Sequence, residues 1–154
     1  MEKIVEVKPF RLVGISIRTT NEDGKSAQDL GALWQKFYSE GVIGKVENAL
    51  SSEVYSVYTE YESDYRAPYT AFLGVKIPSD GNAPEGLKVL DIAGGKYIQQ
   101  TISGDPQQAV TNAWVDIWAR DESLNRRYTA DFEVYGEKSQ QGPDSEVQLF
   151  LAVS

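Results

Sequence analysis

The chain has no cysteine and no histidine, which closes several reaction classes before any pattern is read. Disulfides, Cys/His zinc sites, a thiol nucleophile and a Ser-His-Asp triad are excluded, so catalysis would have to rest on carboxylates, tyrosine, lysine or bound water. No 18 apolar residues run together, and Met1–Glu6 lacks the apolar centre of a signal peptide. A soluble, cytoplasmic protein without membrane contact is expected. Basic residues are in short supply: 15 Lys and Arg against 23 Asp and Glu give a formal charge of -8, the wrong sign for a phosphate-backbone footprint. Direct nucleic-acid binding is therefore not expected, whereas an acidic surface favours the approach of cationic small molecules. The glycines lack phosphate-loop spacing. Neither a metal nor an organic cofactor is expected.

What is present is enough for a core. The 154 residues are 41% apolar, which allows one domain or a duplicated pair of small halves. Nine Tyr and three Trp supply amphipathic rings for a core or a ligand cage. Ile4 to Ile17, broken by Pro9 and Gly14, reads as one strand with a bend or bulge. Leu30, Leu33, Trp34 and Phe37, with Tyr38 beside them, form an apolar stripe that predicts a helix over 26–40, ended by Gly41. Strands are predicted over Val54–Tyr61 and Tyr69–Ile77, and the turn-rich stretch 78–86 reads as a connector.

The order then recurs. Leu87–Ile92 and Lys96–Ile102 are strand-like; Asp105 as N-cap and Pro106 at the first turn open a second helix over 106–119, with the stripe Val110, Ala113, Trp114, Ile117 and Trp118. Strands over Tyr128–Tyr135 and Glu146–Val153 follow. Residues repeat as well as elements: Leu33–Tyr38 matches Ala113–Trp118, Val54–Tyr61 matches Tyr128–Tyr135, and Ala71–Val75 matches Leu149–Val153. Two strand-helix-strand-strand halves, about 1–77 and 87–154, predict an α+β fold: an antiparallel sheet, two main helices, pseudo-twofold symmetry and a ligand groove at the seam. In this match Glu133 falls opposite Thr59, so the halves differ in charge at one point.

The stretch Tyr128–Tyr135 is unusual because acids are depleted inside strands. Alternation puts Tyr128, Ala130, Phe132 and Val134 on one face, and Thr129, Asp131, Glu133 and Tyr135 on the other. The first set reads as core. The second sets an acid beside an aromatic ring, the pairing that holds an organic cation by charge and by its π-face; a merely solvated outer face is the plainer alternative.

The segments Val54–Tyr65, Ala113–Trp118 and above all Ala130-Asp131-Phe132-Glu133-Val134-Tyr135 resemble the GyrI-like effector-binding domains, which occur in AraC-type and MerR-type multidrug regulators, as stand-alone proteins and as integron-cassette proteins. The resemblance covers nearly the whole chain. It implies a central pocket for amphipathic, often cationic, organic molecules, with Glu133 at the position of the family's pocket glutamate and Trp114 and Trp118 matching its helix aromatics. No helix-turn-helix segment is seen beside the domain, so a stand-alone binder is expected over a direct gene regulator. Two alternatives stay open: a carboxylate-dependent hydrolase of strained electrophiles, as in some relatives, and an inhibitor of a protein partner, as in the gyrase-inhibitor relatives. A homo-oligomer also stays open.

The expected ligand-binding set is Glu133, Trp118, Trp114, Tyr61 and Tyr135. Trp114, matched by Trp34, reads first as core; Trp118, near the helix end, is divided between core and cleft. Tyr61 and Tyr135 read as equivalent strand ends at the cleft edge. Tyr55, Tyr58, Tyr65 and Tyr69 are weaker candidates for cage walls, and Asp131 is expected at the rim or in solvent.

Overall fold

A computed structural model describes residues 2–154. In chain order the elements are β1 (Glu2–Val7), β2 (Phe10–Thr19), α1 (Lys25–Ser39), the single turn α2 (Val42–Lys45), β3 (Val54–Thr59), β4 (Tyr69–Ile77), β5 (Lys88–Ile92), β6 (Gly95–Ser103), α3 (Pro106–Ala119), β7 (Ala130–Tyr135) and β8 (Glu146–Ala152). The eight strands form one sheet in the order β1-β6-β8-β7-β3-β4-β2-β5, with every pairing antiparallel. The α+β architecture and both helices follow the sequence. Asp105 caps α3 by accepting from the Gln107 amide at 3.1 Å, satisfying one of the first-turn N–H groups.

Ile4 to Ile17 is two strands, not one bent strand. Pro9 cannot donate to a ladder, and the chain divides there. β1 pairs with β6, while β2 pairs with β4 and β5 on the far side of the sheet. Each half is therefore strand-strand-helix-strand-strand, its first strand lent to the edge of the other half. Only two residues join β1 to β2, and two join β5 to β6, so the two wings of the sheet must curl toward each other. Gly94 sits where the links pass: a Cβ there would lie 2.6 Å from the Val7 carbonyl oxygen, and its φ is +84°. Between the curled wings lies an aromatic-rich core with Phe10, Tyr55, Tyr97, Phe132 and Phe150.

The opposite face carries the helices. Leu33 and Phe37 of α1 pack on β2 and β4, and Ala113 and Ile117 of α3 pack on β6 and β8. Read from either edge, the sheet order is the same once β1 and β5, β2 and β6, β3 and β7, and β4 and β8 are exchanged. The pseudo-twofold axis runs through the β3–β7 seam. Ser56 and Glu133 are directly paired there, and on their outer sides they pair with the core leucines Leu73 and Leu149. Ser56, not Thr59, is thus the counterpart of Glu133. Thr59 pairs with Ala130 and lies on the other face by strand alternation.

Candidate functional site

The two helices stand on either side of the central strands and leave a cavity of about 1040 Å³ between them, at the upper end of the roughly 300–1,000 Å³ typical of ligand sites. Leu30, Trp34 and Tyr38 face it from α1, Val110, Trp114 and Trp118 from α3, and Val54, Tyr58, Glu133 and Tyr135 from its floor. The helix residues recur every four positions, the spacing that aligns side chains along one face. All five residues of the expected set border this one cavity.

Glu133 is only 1% exposed, and its carboxylate is enclosed by three neutral donors. Trp114 donates its indole N–H to Oε2 at 2.5 Å, Tyr58 donates its hydroxyl to the same oxygen at 2.8 Å, and Tyr135 donates to Oε1 at 2.5 Å. Among the described residues no Lys or Arg pairs with it. Burial raises its pKa above the ordinary glutamate range, and the Tyr135, Trp114 and Tyr58 hydrogen bonds only partly offset this. Burial first, and the Glu133 charge second, push the Tyr58 and Tyr135 hydroxyls up. Both phenols therefore stay protonated and act as donors.

The rings obey the pseudo-symmetry. Trp114 meets Tyr58 edge-on, with centroids 5.3 Å apart at 77°, and Trp34 meets Tyr135 in the same way, 5.1 Å apart at 80°. Tyr58 follows Ser56 by two residues as Tyr135 follows Glu133, so the floor is a paired aromatic cage with one acid on its axis. Trp114, read from the sequence first as core, packs against the core beneath α3 and is also a wall of the cavity. Trp118 stacks on Tyr65, centroids 5.7 Å apart and rings 9° from parallel, closing one end.

Asp131 is not at the rim. It is 0% exposed, and its carboxylate accepts from Arg126 Nη2 at 2.8 Å, Tyr61 Oη at 2.6 Å and the Ala152 amide at 2.7 Å. An acid so placed is tolerable because a buried cation pairs with it; the Arg126 side chain is 1% exposed. Arg126 also donates to Asp121 and Tyr128, and its guanidinium carbon lies 4.1 Å from the Tyr128 ring centre. Tyr128 is not on the strand face either. It precedes β7 with φ +56°, a left-handed conformation that takes a bulky side chain out of strand alternation. Glu60, at φ +51°, likewise ends β3 before Tyr61, which belongs to the Asp131 network more than to the Glu133 cage. The two buried acids thus differ: Asp131 is neutralised within the protein, whereas Glu133 is not.

Sequence reasoning ranked Tyr58 too low and missed Arg126. Tyr58 could have been found by sliding the repeat match three residues, which sets Ser56 against Glu133 and Tyr58 against Tyr135. Nothing in the strand pattern points to Arg126.

The family model for Cass2, an integron-associated effector binding protein, matches residues 3–153. An integron cassette protein from Vibrio cholerae is 26% identical, with a TM-score of 0.76 over 99% of this chain and 95% of that one. SAV2435, solved bound to tetraphenylphosphonium, is 18% identical, with a TM-score of 0.79 over 100% of this chain and 94% of that one, and shares the fold. The candidate transcriptional regulator protein YobU of Bacillus subtilis (strain 168) is 24% identical over 146 residues, 93% of this chain and 91% of YobU. The protein whose central cavity carries Glu133 belongs to the Cass2 family of integron-associated effector-binding proteins.

Proposed function

We propose that the protein binds amphipathic organic cations in the cavity between α1 and α3, as a sensor or sequestering protein. One observation carries this reading: Glu133 is a buried acid beside a large aromatic cavity whose three partners are all neutral. A carboxylate without a counter-ion in such a place is costly, and a lipophilic cation would relieve that cost while gaining roughly 0.5–2 kcal/mol per ring from cation–π contact. The bound tetraphenylphosphonium of the similarly folded SAV2435 is a ligand of this type. A hydrolase is less well served by the same geometry. Burial moves the Glu133 carboxyl toward the operating pH that suits a general acid or base, but three donors already occupy it, and the two phenols among them are pushed upward. Calorimetric titration with tetraphenylphosphonium tests the proposal. Saturable binding that is weakened by Glu133→Gln is expected; binding that is absent, or equal in both proteins, overturns it.

A further inference from the structure

The carboxylate that gives the cavity its charge is already engaged on both oxygens and almost wholly covered. Oε2 already accepts from both Trp114 and Tyr58, Oε1 accepts from Tyr135, and the residue is 1% exposed. What borders the cavity around it is the rings of those three donors. A carboxylate's negative charge extends beyond its own hydrogen bonds, and donation from an aromatic O–H or N–H to an anion leaves the ring more electron-rich. Beside Glu133 the ligand therefore meets negative potential on ring faces rather than at a hydrogen-bond acceptor, while polar groups that also line the cavity, among them Ser26, Gln107 and Thr111, stand on the helices.

We propose that this cavity selects cations that carry no N–H or O–H donor on the charged centre, such as quaternary ammonium, tetraarylphosphonium or N-alkylated heteroaromatic ions, over protonated amines of matched shape. The proposal rests on the cavity being a cation site. Its physical basis is an asymmetry of hydrogen bonding. A protonated amine leaves water with at least one strong donor, and a donor buried without an acceptor costs the full desolvation of that group. A quaternary centre spreads its charge over carbon-bound hydrogens, surrenders no hydrogen bond, and fits flat against aromatic faces. The carboxylate that remains open is Glu137, exposed at the cavity mouth, where solvent screens a charge pair to little effect. Glu133 is accordingly a positioning residue for the rings and a source of field, not a direct ion-pair partner.

Three probes separate the possibilities on the unmodified protein: (biphenyl-4-ylmethyl)trimethylammonium, its protonated dimethylamine analogue, and neutral 4-neopentylbiphenyl, all measured by displacement of a fluorescent dye at neutral pH. The quaternary ion exceeds the protonated amine by one methyl, worth about 0.8 kcal/mol or roughly fourfold in Kd. A ratio of about tenfold or more, beyond that methyl, is expected from the stranded donor. The indole N–H resonance of Trp114 should stay in its hydrogen-bonded position when the quaternary ion saturates the site. If the protonated amine binds as tightly as the quaternary ion, and both bind more tightly than the neutral probe, the cation site stands and the donor-free selection is wrong. A Trp114 indole N–H released on binding the quaternary ion also overturns the selection, because the carboxylate would then be opening to the ligand. If all three probes bind alike, the cation reading itself fails.

Discussion

Glu133→Gln should move binding and stability in opposite directions, because the same buried charge that attracts a cation burdens the fold. The substitution keeps shape and most contacts: the amide oxygen can accept from Trp114 and Tyr58 in place of Oε2, and the amide nitrogen can donate to Tyr135 once that hydroxyl turns. What vanishes is the charge. A ligand cation held against the rings lies one ring layer from the carboxylate, roughly 6–8 Å, so at an effective dielectric of about 20 the attraction is about 2–3 kcal/mol. Loss of about 2 kcal/mol weakens a cation roughly thirtyfold and leaves a neutral isostere unchanged. Stability responds to the raised pKa of Glu133. A group whose folded pKa lies above its unfolded value contributes stability below the unfolded pKa and loses it as pH rises through the folded one. At neutral pH the wild type has lost that contribution, whereas the glutamine variant has nothing to lose. The variant should unfold at higher temperature than wild type near pH 7, with the gap narrowing as pH falls toward about 4. Calorimetric titration gives the affinities and differential scanning calorimetry at the two pH values gives the stabilities. A variant less stable at pH 7 that binds the cation within twofold of wild type would refute the placing of an uncompensated charge at this position.

Asp131→Asn should instead be destabilising, because either amide orientation points a donor at Arg126 and Tyr61 or at the Ala152 amide. Breaking a buried pair of this kind costs about 3–5 kcal/mol, or about 10 °C in Tm for a chain of this size, and urea unfolding that shows less than about 1 kcal/mol would place the pair among weak ones. Affinity of the wild type for a quaternary cation should fall on acidification, beginning above the ordinary glutamate range because the Glu133 pKa is raised; a pH series of titrations in which affinity is flat from pH 7 to about 4 contradicts this. Trp118→Ala removes the ring stacked on Tyr65 at the end of the cavity, so a multi-ring cation should lose about tenfold in affinity while a single-ring cation changes little. Equal losses for both would mean that the stack shapes the whole cavity rather than its end.

The helices and the duplicated order of elements were legible in the sequence because they are local: the stripes in 26–40 and 106–119 state their own period, and Asp105-Pro106 states where α3 begins. The exchange of β1 and β5 between halves was not, since it depends on pairings across about 75 to 100 residues that no window contains. Matching the repeat by letters set Thr59 against Glu133, three residues from the true partner; in a strand an odd slip reverses the face, and only the register shows that Ser56 is the partner. Asp131 misled for a different reason. Acids are mostly exposed, and the exception here is made by Arg126, brought back over the strand through a left-handed Tyr128.

The pseudo-symmetry accounts for one acid rather than two on the axis of the cavity floor, and it gives a demanding test. Ser56 and Glu133 are paired on the axis, where opposed Cα atoms are only about 4.5–5.5 Å apart. Two glutamates there could not both stay ionised in a buried site; one would be held protonated, and the pair would carry about one charge in either case. A second glutamate at position 56 would therefore add almost no charge to what Glu133 alone supplies. The side that carries the acid should matter little, since Tyr58 and Tyr135 flank the axis equivalently and Trp34 mirrors Trp114. Glu133→Ser alone should abolish the preference for a quaternary cation over its neutral isostere. Adding Ser56→Glu to that variant returns one carboxylate to the axis, within reach of both phenols, with Trp34 in place to supply the indole donor. The double variant should regain most of the lost preference, to within about tenfold of wild type. Circular dichroism and thermal unfolding establish that both variants are folded before they are titrated. A folded double variant that binds the cation no better than Glu133→Ser would show that Trp114 and its side of the cage, not the charge on the axis, determine what the cavity accepts.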